Sequence, residues 1–320
     1  MGAPRMSELN RRSMFALTAG IAAMSAADTG VASADNNNHE ADLPGFKHNY
    51  AQVNGVRLHY VTGGRGEPLV LLPGWPQTWW EYSKIMPALA TKFRVIVVDL
   101  RGMGGSSKPE GGYDKKTMAT DIHELVRKLG YENVNIAGHD IGSQVAFSFA
   151  ANFPQATRKV ALLDVLHPDE HYYEMPLLPR PGGFSLWWFA FNQVQTLPEQ
   201  LLAGRFRFLL DWLFANTAFN PAAIDERSRQ IYARAYNSPD AIRAGNGWYK
   251  AFHQDIADGR TYAKLTPPVL GLASVLSHDQ MAAALPDLAT TFKTVAINAG
   301  HWLSEEAPDD VARELTAFFG

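Results

Sequence analysis

The run Asn133–Ala150, NVNIAGHDIGSQVAFSFA, carries the most specific chemical signal in the chain. Val134 and Ile136 alternate as in a strand, Gly138-His139-Asp140-Ile141-Gly142 follows, and Val145, Ala146, Ser148 and Phe149 continue with helical spacing. A central nucleophile with glycines two residues to either side marks a sharp strand-to-helix turn that lifts one side chain out for reaction. The usual serine is here an aspartate, Asp140. An aspartate needs no base to become a nucleophile, because its reference pKa of about 3.9 leaves it ionised at neutral pH. Its attack on an amide would make an anhydride. In-line displacement at a saturated carbon makes an alkyl ester of the enzyme instead. Asp140 therefore predicts two steps: alkylation of its carboxylate, then hydrolysis of that ester by an activated water.

The second step needs a base, an acid to orient the base, and donors for the developing oxyanion. His301, in INAGHWLSEEAP on the loop after the last expected strand, is the candidate general base, since an imidazole titrating near neutrality suits that work. Asp164 ends the strand after the elbow strand, and Asp279 follows the strand Pro267–Ser274; either is placed to orient His301. The backbone N–H groups of Ile141 and Trp75 are the expected oxyanion hole, Trp75 lying in LPGWPQ directly after a strand. Trp75-Pro76 is open to either isomer. The leaving group divides the readings. A halide needs N–H donors, whereas the ring oxygen of an epoxide needs a hydrogen bond or a proton, which suits a tyrosine. Tyr249, Tyr236, Tyr232, Trp187 and Trp188 supply candidates. His139 reads as structural, and Glu305 and Glu306 as a solvated face or helix start.

These residues need a scaffold that brings distant segments together. Asn54-Gly55 between two alternating runs predicts a β-hairpin. Pro68–Trp75 and Phe93–Leu100 are continuous apolar runs, as expected of strands buried on both faces of a parallel sheet. Helical spacing over 78–90 and 115–129, further strands over 158–165, 267–274 and 292–298, and a closing helix over 308–319 complete a strand–helix alternation. From about Asp169 to Thr266 the strand signals stop and aromatic, helical stretches take over. The expected organisation is an α/β core over 35–168 and 267–320, with an all-helical cap over 169–266 covering the C-terminal strand ends, where ligands bind in open α/β sheets.

The chain has 320 residues, 46 % of them apolar, a net charge of −3 and no cysteine. That excludes disulfides, thiolate catalysis and cysteine metal sites, and it leaves no electrostatic footprint for nucleic acid. Neither a metal nor a cofactor is expected. Asn10-Arg11-Arg12-Ser13, a short apolar stretch over 16–27 and Ala32-Ser33-Ala34 describe a signal peptide over 1–34, of twin-arginine type, and hence an exported, periplasmic or secreted protein. No run is long enough for a membrane span. Exposed cap aromatics would permit a homodimer.

PGWPQTWWEY, DLRGMGGSSKP, GHDIG and AGHWLSEEAP together resemble the α/β-hydrolase fold epoxide hydrolases over roughly Lys47–Phe319, and most closely the Cif-like secreted bacterial group. The resemblance implies an α/β-hydrolase fold: a mostly parallel sheet, helices on both faces and an inserted helical cap. It favours Asp164, 24 residues past Asp140, over Asp279 as the orienting acid, although the family usually has Glu there. It places Trp188 where the Cif-like group has a histidine and Tyr249 at that group's tyrosine, so Tyr249 becomes the ring-opening donor and Trp188 a second donor. Pro73 stands where the family has the histidine of H-G-x-P. The arginines with which fluoroacetate dehalogenases hold a carboxylate are replaced by Ile141-Gly142-Ser143-Gln144, and the tryptophan that follows the aspartate in haloalkane dehalogenases by Ile141. The expected activity is hydrolysis of an epoxide to a vicinal diol. A hydrolytic dehalogenase using the same Asp140 ester is the alternative, and a non-catalytic secreted binding protein the second.

Overall fold

The computed structural model describes residues 41–176, 178, 181 and 184–320. The expected signal peptide, 1–34, and the start of the mature chain near Asp35 lie outside the described residues.

Among the described residues the strands form one eight-stranded sheet: β1 (Phe46–Val53), β2 (Val56–Gly63), β3 (Glu67–Leu72), β4 (Phe93–Val98), β5 (Val134–His139), β6 (Thr157–Leu163), β7 (Val269–Ser274) and β8 (Phe292–Ile297), in spatial order β1-β2-β4-β3-β5-β6-β7-β8. Asn54 and Gly55 both take positive φ, 42° and 76°, the backbone of a tight hairpin turn, and so pair Val53 with Val56. From β4 through β8 all neighbours are parallel. β3 is buried from Pro68 to Leu72 and β4 from Val95 to Val98, which explains their continuous apolar runs; β8, at the sheet edge, is exposed at half of its positions. The chain bends where the strands end, so Trp75, Asp140, Asp164 and His301 all emerge at the same edge, after β3, β5, β6 and β8.

Helices Lys115–Lys128 and Pro308–Phe319 start at Asp114, whose side chain accepts the Thr117 N–H, and at a proline in the first turn. The helix predicted over 78–90 is instead a 3₁₀ turn, Trp79–Tyr82, and a single α-turn, Met86–Leu89. Pro87 lacks the N–H that would continue one helix through both, and it opens the second.

Between β6 and β7 the chain runs through helices Trp187–Phe191, Leu197–Leu202, Phe206–Thr217, Glu226–Ala235, Pro239–Lys250 and Phe252–Gly259. Buried polar groups tie this insertion to the core. Lys115 Nζ donates to Asp255 Oδ2 and to the Trp248 carbonyl, both at 2.7 Å, while Asp255 Oδ1 accepts the Lys115 N–H. Trp248 Nε1 donates to the Arg101 carbonyl at 3.0 Å and Trp80 Nε1 to Ser228 Oγ at 3.0 Å.

Candidate active site

Asp140 sits between β5 and the helix Ile141–Asn152 with φ 50° and ψ −120°. A non-glycine residue at positive φ is strained, and strain of this kind persists at functional turns where packing over-determines it. The flanking glycines permit that packing. A Cβ on Gly138 would collide with the Gly142 carbonyl, and one on Gly142 with the Leu72 carbonyl. The elbow is therefore pressed directly against β3.

The two carboxylate oxygens of Asp140 face different partners. Oδ1 accepts the Trp75 N–H at 3.0 Å. Oδ2 lies 3.7 Å from His301 Nε2. Trp75-Pro76 is cis. Ile141 is the first residue of the helix after Asp140, and its side chain is buried.

His301 Nδ1 is 2.7 Å from Asp164 Oδ2. Asp164 itself has positive φ, 63°, and its Oδ1 accepts the Ser274 N–H at 2.8 Å and the Ser277 hydroxyl. Burial raises the pKa of Asp164, but the hydrogen bond and charge of His301, with the donors of Ser277 and Ser274, outweigh it and hold the carboxyl at about 2. Asp279, the rival orienting acid, is not at the site. It is fully exposed on helix His278–Leu288, 3.3 Å from His278. Ser274 and Ser277, its neighbours in sequence, turn toward Asp164 instead.

The insertion brings phenols over this pair. Tyr249 is buried, with its ring 5.3 Å from Trp75, 5.4 Å from Phe189 and 5.3 Å from Phe252. Burial first, then the charge of Asp140, pushes its pKa well above the usual tyrosine value, so the phenol keeps its proton. Trp188 is also buried, edge-on to Phe189, which in turn packs edge-on against Tyr249. Trp187 packs against Trp212, 5.2 Å, and Phe191, 5.6 Å. The other two candidate tyrosines are committed elsewhere: Tyr232 donates to Glu305 Oε1 at 2.5 Å and Tyr236 to the Gln77 carbonyl at 2.8 Å. Glu305 is not solvated as expected. It is buried and paired with Lys84 at 2.9 Å. Glu306 caps the Phe219, Asn220 and Trp302 N–H groups.

Tyr172 was not expected. It lies between β6 and the cap helices, accepts from Gln144 Nε2 at 3.1 Å, and is pushed up in pKa by burial and by the charge of Asp140. Gln144 is on the helix that starts at the elbow, which puts a second phenol beside the nucleophile. No spacing rule marks it; its sequence signal is only its place where the core gives way to the cap. Tyr172, Phe189 and Phe252 also line a cavity of about 160 Å³ with Met175, Leu186 and Trp187.

The comparisons agree with this geometry. A family model for the alpha/beta hydrolase fold matches residues 67–308. A protein from Corynebacterium sp. (strain C12) named soluble epoxide hydrolase is 36 % identical over 284 residues, 85 % of this chain and 96 % of that protein. A fluoroacetate dehalogenase from Burkholderia sp. is 29 % identical over 288 residues, 86 % of this chain and 94 % of that one. The crystal structure of the Cif epoxide hydrolase from Acinetobacter nosocomialis superposes with a TM-score of 0.80 over 88 % of this chain and 91 % of its own, at 22 % identity, a likeness of fold.

Proposed function

We propose that this chain, which belongs to the α/β hydrolase fold family, is an epoxide hydrolase working through an ester on Asp140. The observation that carries the reading is the division of the Asp140 carboxylate: Oδ1 already sits on the Trp75 N–H, and Oδ2 is free to attack.

In the first step Oδ2 attacks an epoxide carbon from behind the C–O bond. That bond breaks, and the ring oxygen takes the Tyr249 proton. A phenol whose pKa is raised stays protonated until an alkoxide, itself strongly basic, appears beside it. In the second step His301 Nε2 takes a proton from water, whose oxygen adds to Cγ of the ester. The negative charge collects on Oδ1, held by the N–H groups of Trp75 and Ile141. Asp164 fixes the His301 tautomer and steadies the imidazolium. Collapse releases a vicinal diol, and the proton on His301 restores Tyr249. The net reaction adds one water. The aromatic walls around Tyr249 favour a small apolar epoxide.

The relationship to a fluoroacetate dehalogenase keeps halide displacement in view. One feature weighs against it: positions 141–144 carry no arginine.

The deciding experiment is an intact mass of His301→Gln after incubation with epoxides and halogenated acids. A gain of one whole epoxide, mapped to Asp140, is expected. A gain equal to substrate minus hydrogen halide would replace this reading with the dehalogenase. No adduct from either class, in folded protein, would favour a non-catalytic binder.

Residues 1–34 support export through the inner membrane of a bacterial cell. Fractionation should find the mature protein outside the cytoplasm, and replacing Arg11 and Arg12 with Lys should retain it inside.

A further inference from the structure

Behind the nucleophile lies a second pair of charges that the two-step mechanism does not use. His139 and Glu81 are both buried, 1 % and 2 % exposed. Glu81 Oε1 is 3.0 Å from His139 Nδ1, an ion pair without aligned hydrogen-bond geometry. On its other side, His139 Nε2 lies 2.9 Å from the carbonyl oxygen of His301. The carbonyl accepts only, so Nε2 carries a proton, and a carboxylate 3.0 Å from Nδ1 favours the imidazolium. Burial opposes that charge, but Glu81, Asp140 and Asp164 outweigh it and raise the pKa to about 9.

Each end of the pair grips a different catalytic loop. Glu81 Oε2 accepts the Gly74 N–H at 2.9 Å, one residue before the Trp75 N–H that holds Asp140 Oδ1. His139 adjoins Asp140 in the elbow and anchors the His301 backbone, with the two imidazole rings 4.6 Å apart. The charged and titratable groups facing the pair are Asp140 and Asp164 at the strand ends, His301 on its loop, Tyr82 beside Glu81, and Tyr232, Tyr236 and Glu305 beyond it.

We propose that the His139–Glu81 ion pair is a positioning unit for the second half-reaction, locking the base loop and the oxyanion loop in one register. This rests on the Asp140 ester proposed above. Ring opening needs Asp140 and the cap tyrosine. Ester hydrolysis needs His301 and the oxyanion N–H, the two groups the pair anchors. Loss of either charge should therefore slow the second step and spare the first.

The test combines single-turnover mass spectrometry, using styrene oxide as probe, with nitrogen-15 NMR of the histidine rings. In Glu81→Gln and His139→Gln, ester formation stays within about twofold of wild type, while ester hydrolysis slows by about tenfold to a hundredfold, the cost of small misplacement in a catalytic site. The ester accumulates, and the double variant is no slower than the slower single one, because the two residues act as a unit. Wild-type His139 shows the imidazolium signature at pH 7 and loses it near pH 9.

Equal slowing of both steps, additive losses, or a neutral His139 at pH 7 would overturn the proposal. If a variant does not fold, the wild-type rate of ester hydrolysis decides: a fall near pH 9 supports the pair, and a flat profile to pH 10 overturns it. If wild type and His301→Gln form no ester, the epoxide reading is what fails. The pair is then judged by the His139 signature alone: an imidazolium at pH 7 in wild type that is lost in Glu81→Gln supports it, and a neutral ring in wild type overturns it.

Discussion

His301 Nδ1 meets Asp164 Oδ2 at 2.7 Å across 137 residues of sequence, and both remaining donors near Asp164, from Ser274 and Ser277, converge on its other oxygen. The acid is held from both sides, so the imidazole it orients has one orientation available. The position of this acid, immediately after β6, makes it independent of the exposed loop that carries Asp279.

Asp164→Asn removes the charge that steadies the imidazolium and permits the wrong tautomer. Ester hydrolysis should fall by about 10³- to 10⁴-fold, with ring opening little changed. Burst kinetics with accumulation of the Asp140 ester is the signature. Asp279→Asn should leave both steps at wild-type rates.

Tyr249→Phe takes away the proton for the ring oxygen. The rate of ester formation should fall by about 10²- to 10⁴-fold, and no ester should accumulate. Trp188→Phe removes the second candidate donor and should cost about threefold to tenfold. Tyr172→Phe should fall between the two if Tyr172 shares the ring oxygen. Pre-steady-state mass spectrometry of each variant separates them.

Lys115 and Asp255 are a fully buried ion pair joining core to cap. Lys115→Met leaves Asp255 buried without its partner and should destabilise the fold by about 3–5 kcal/mol. Lys115→Met with Asp255→Leu removes both charges and should recover much of that loss. Urea unfolding of the single and double variants measures both.

Two buried histidines shape stability against pH in opposite directions. Burial, aided by the charge of Lys115, lowers the His167 pKa to about 3. A depressed group contributes stability above its unfolded pKa of about 6.5. That contribution is lost as pH falls through the window from about 6.5 to about 3. His139 is raised to about 9, so its contribution is complete below about 6.5 and disappears as pH rises toward 9. The melting temperature should fall on both sides of neutrality. His167→Gln should flatten the acid limb and His139→Gln the alkaline one.

Gly142→Ala drives a Cβ into the Leu72 carbonyl, a backbone atom that no rotamer change can move aside. Overpacking of about 1–3 kcal/mol or more is expected, with loss of ester formation because the elbow shifts. Retained activity and stability would show that β3 can yield.

The parts of the molecule legible in the sequence are those whose cause is local. Asn54-Gly55 dictates a hairpin because two consecutive residues must take positive φ. Gly138 and Gly142 around Asp140 dictate the elbow because nothing larger fits against the neighbouring backbone. The carboxylate itself dictates ester chemistry. Continuous apolar runs mark β3 and β4 because both faces of those strands are covered.

What only the tertiary structure decided involves partners far apart in the chain. Asp164 and Asp279 each follow a strand; strand position leaves both open and family resemblance only favours Asp164, so the choice depends on where His301 and Ser277 arrive. Glu305 reads as a solvated face or helix start until Lys84, 221 residues away, lies beside it. Tyr172 and the His139–Glu81 pair carry no spacing signature at all. Nearby carboxylates turn a buried histidine into a charged anchor against the cost of burial, and those neighbours are set by contacts that local periodicity does not encode.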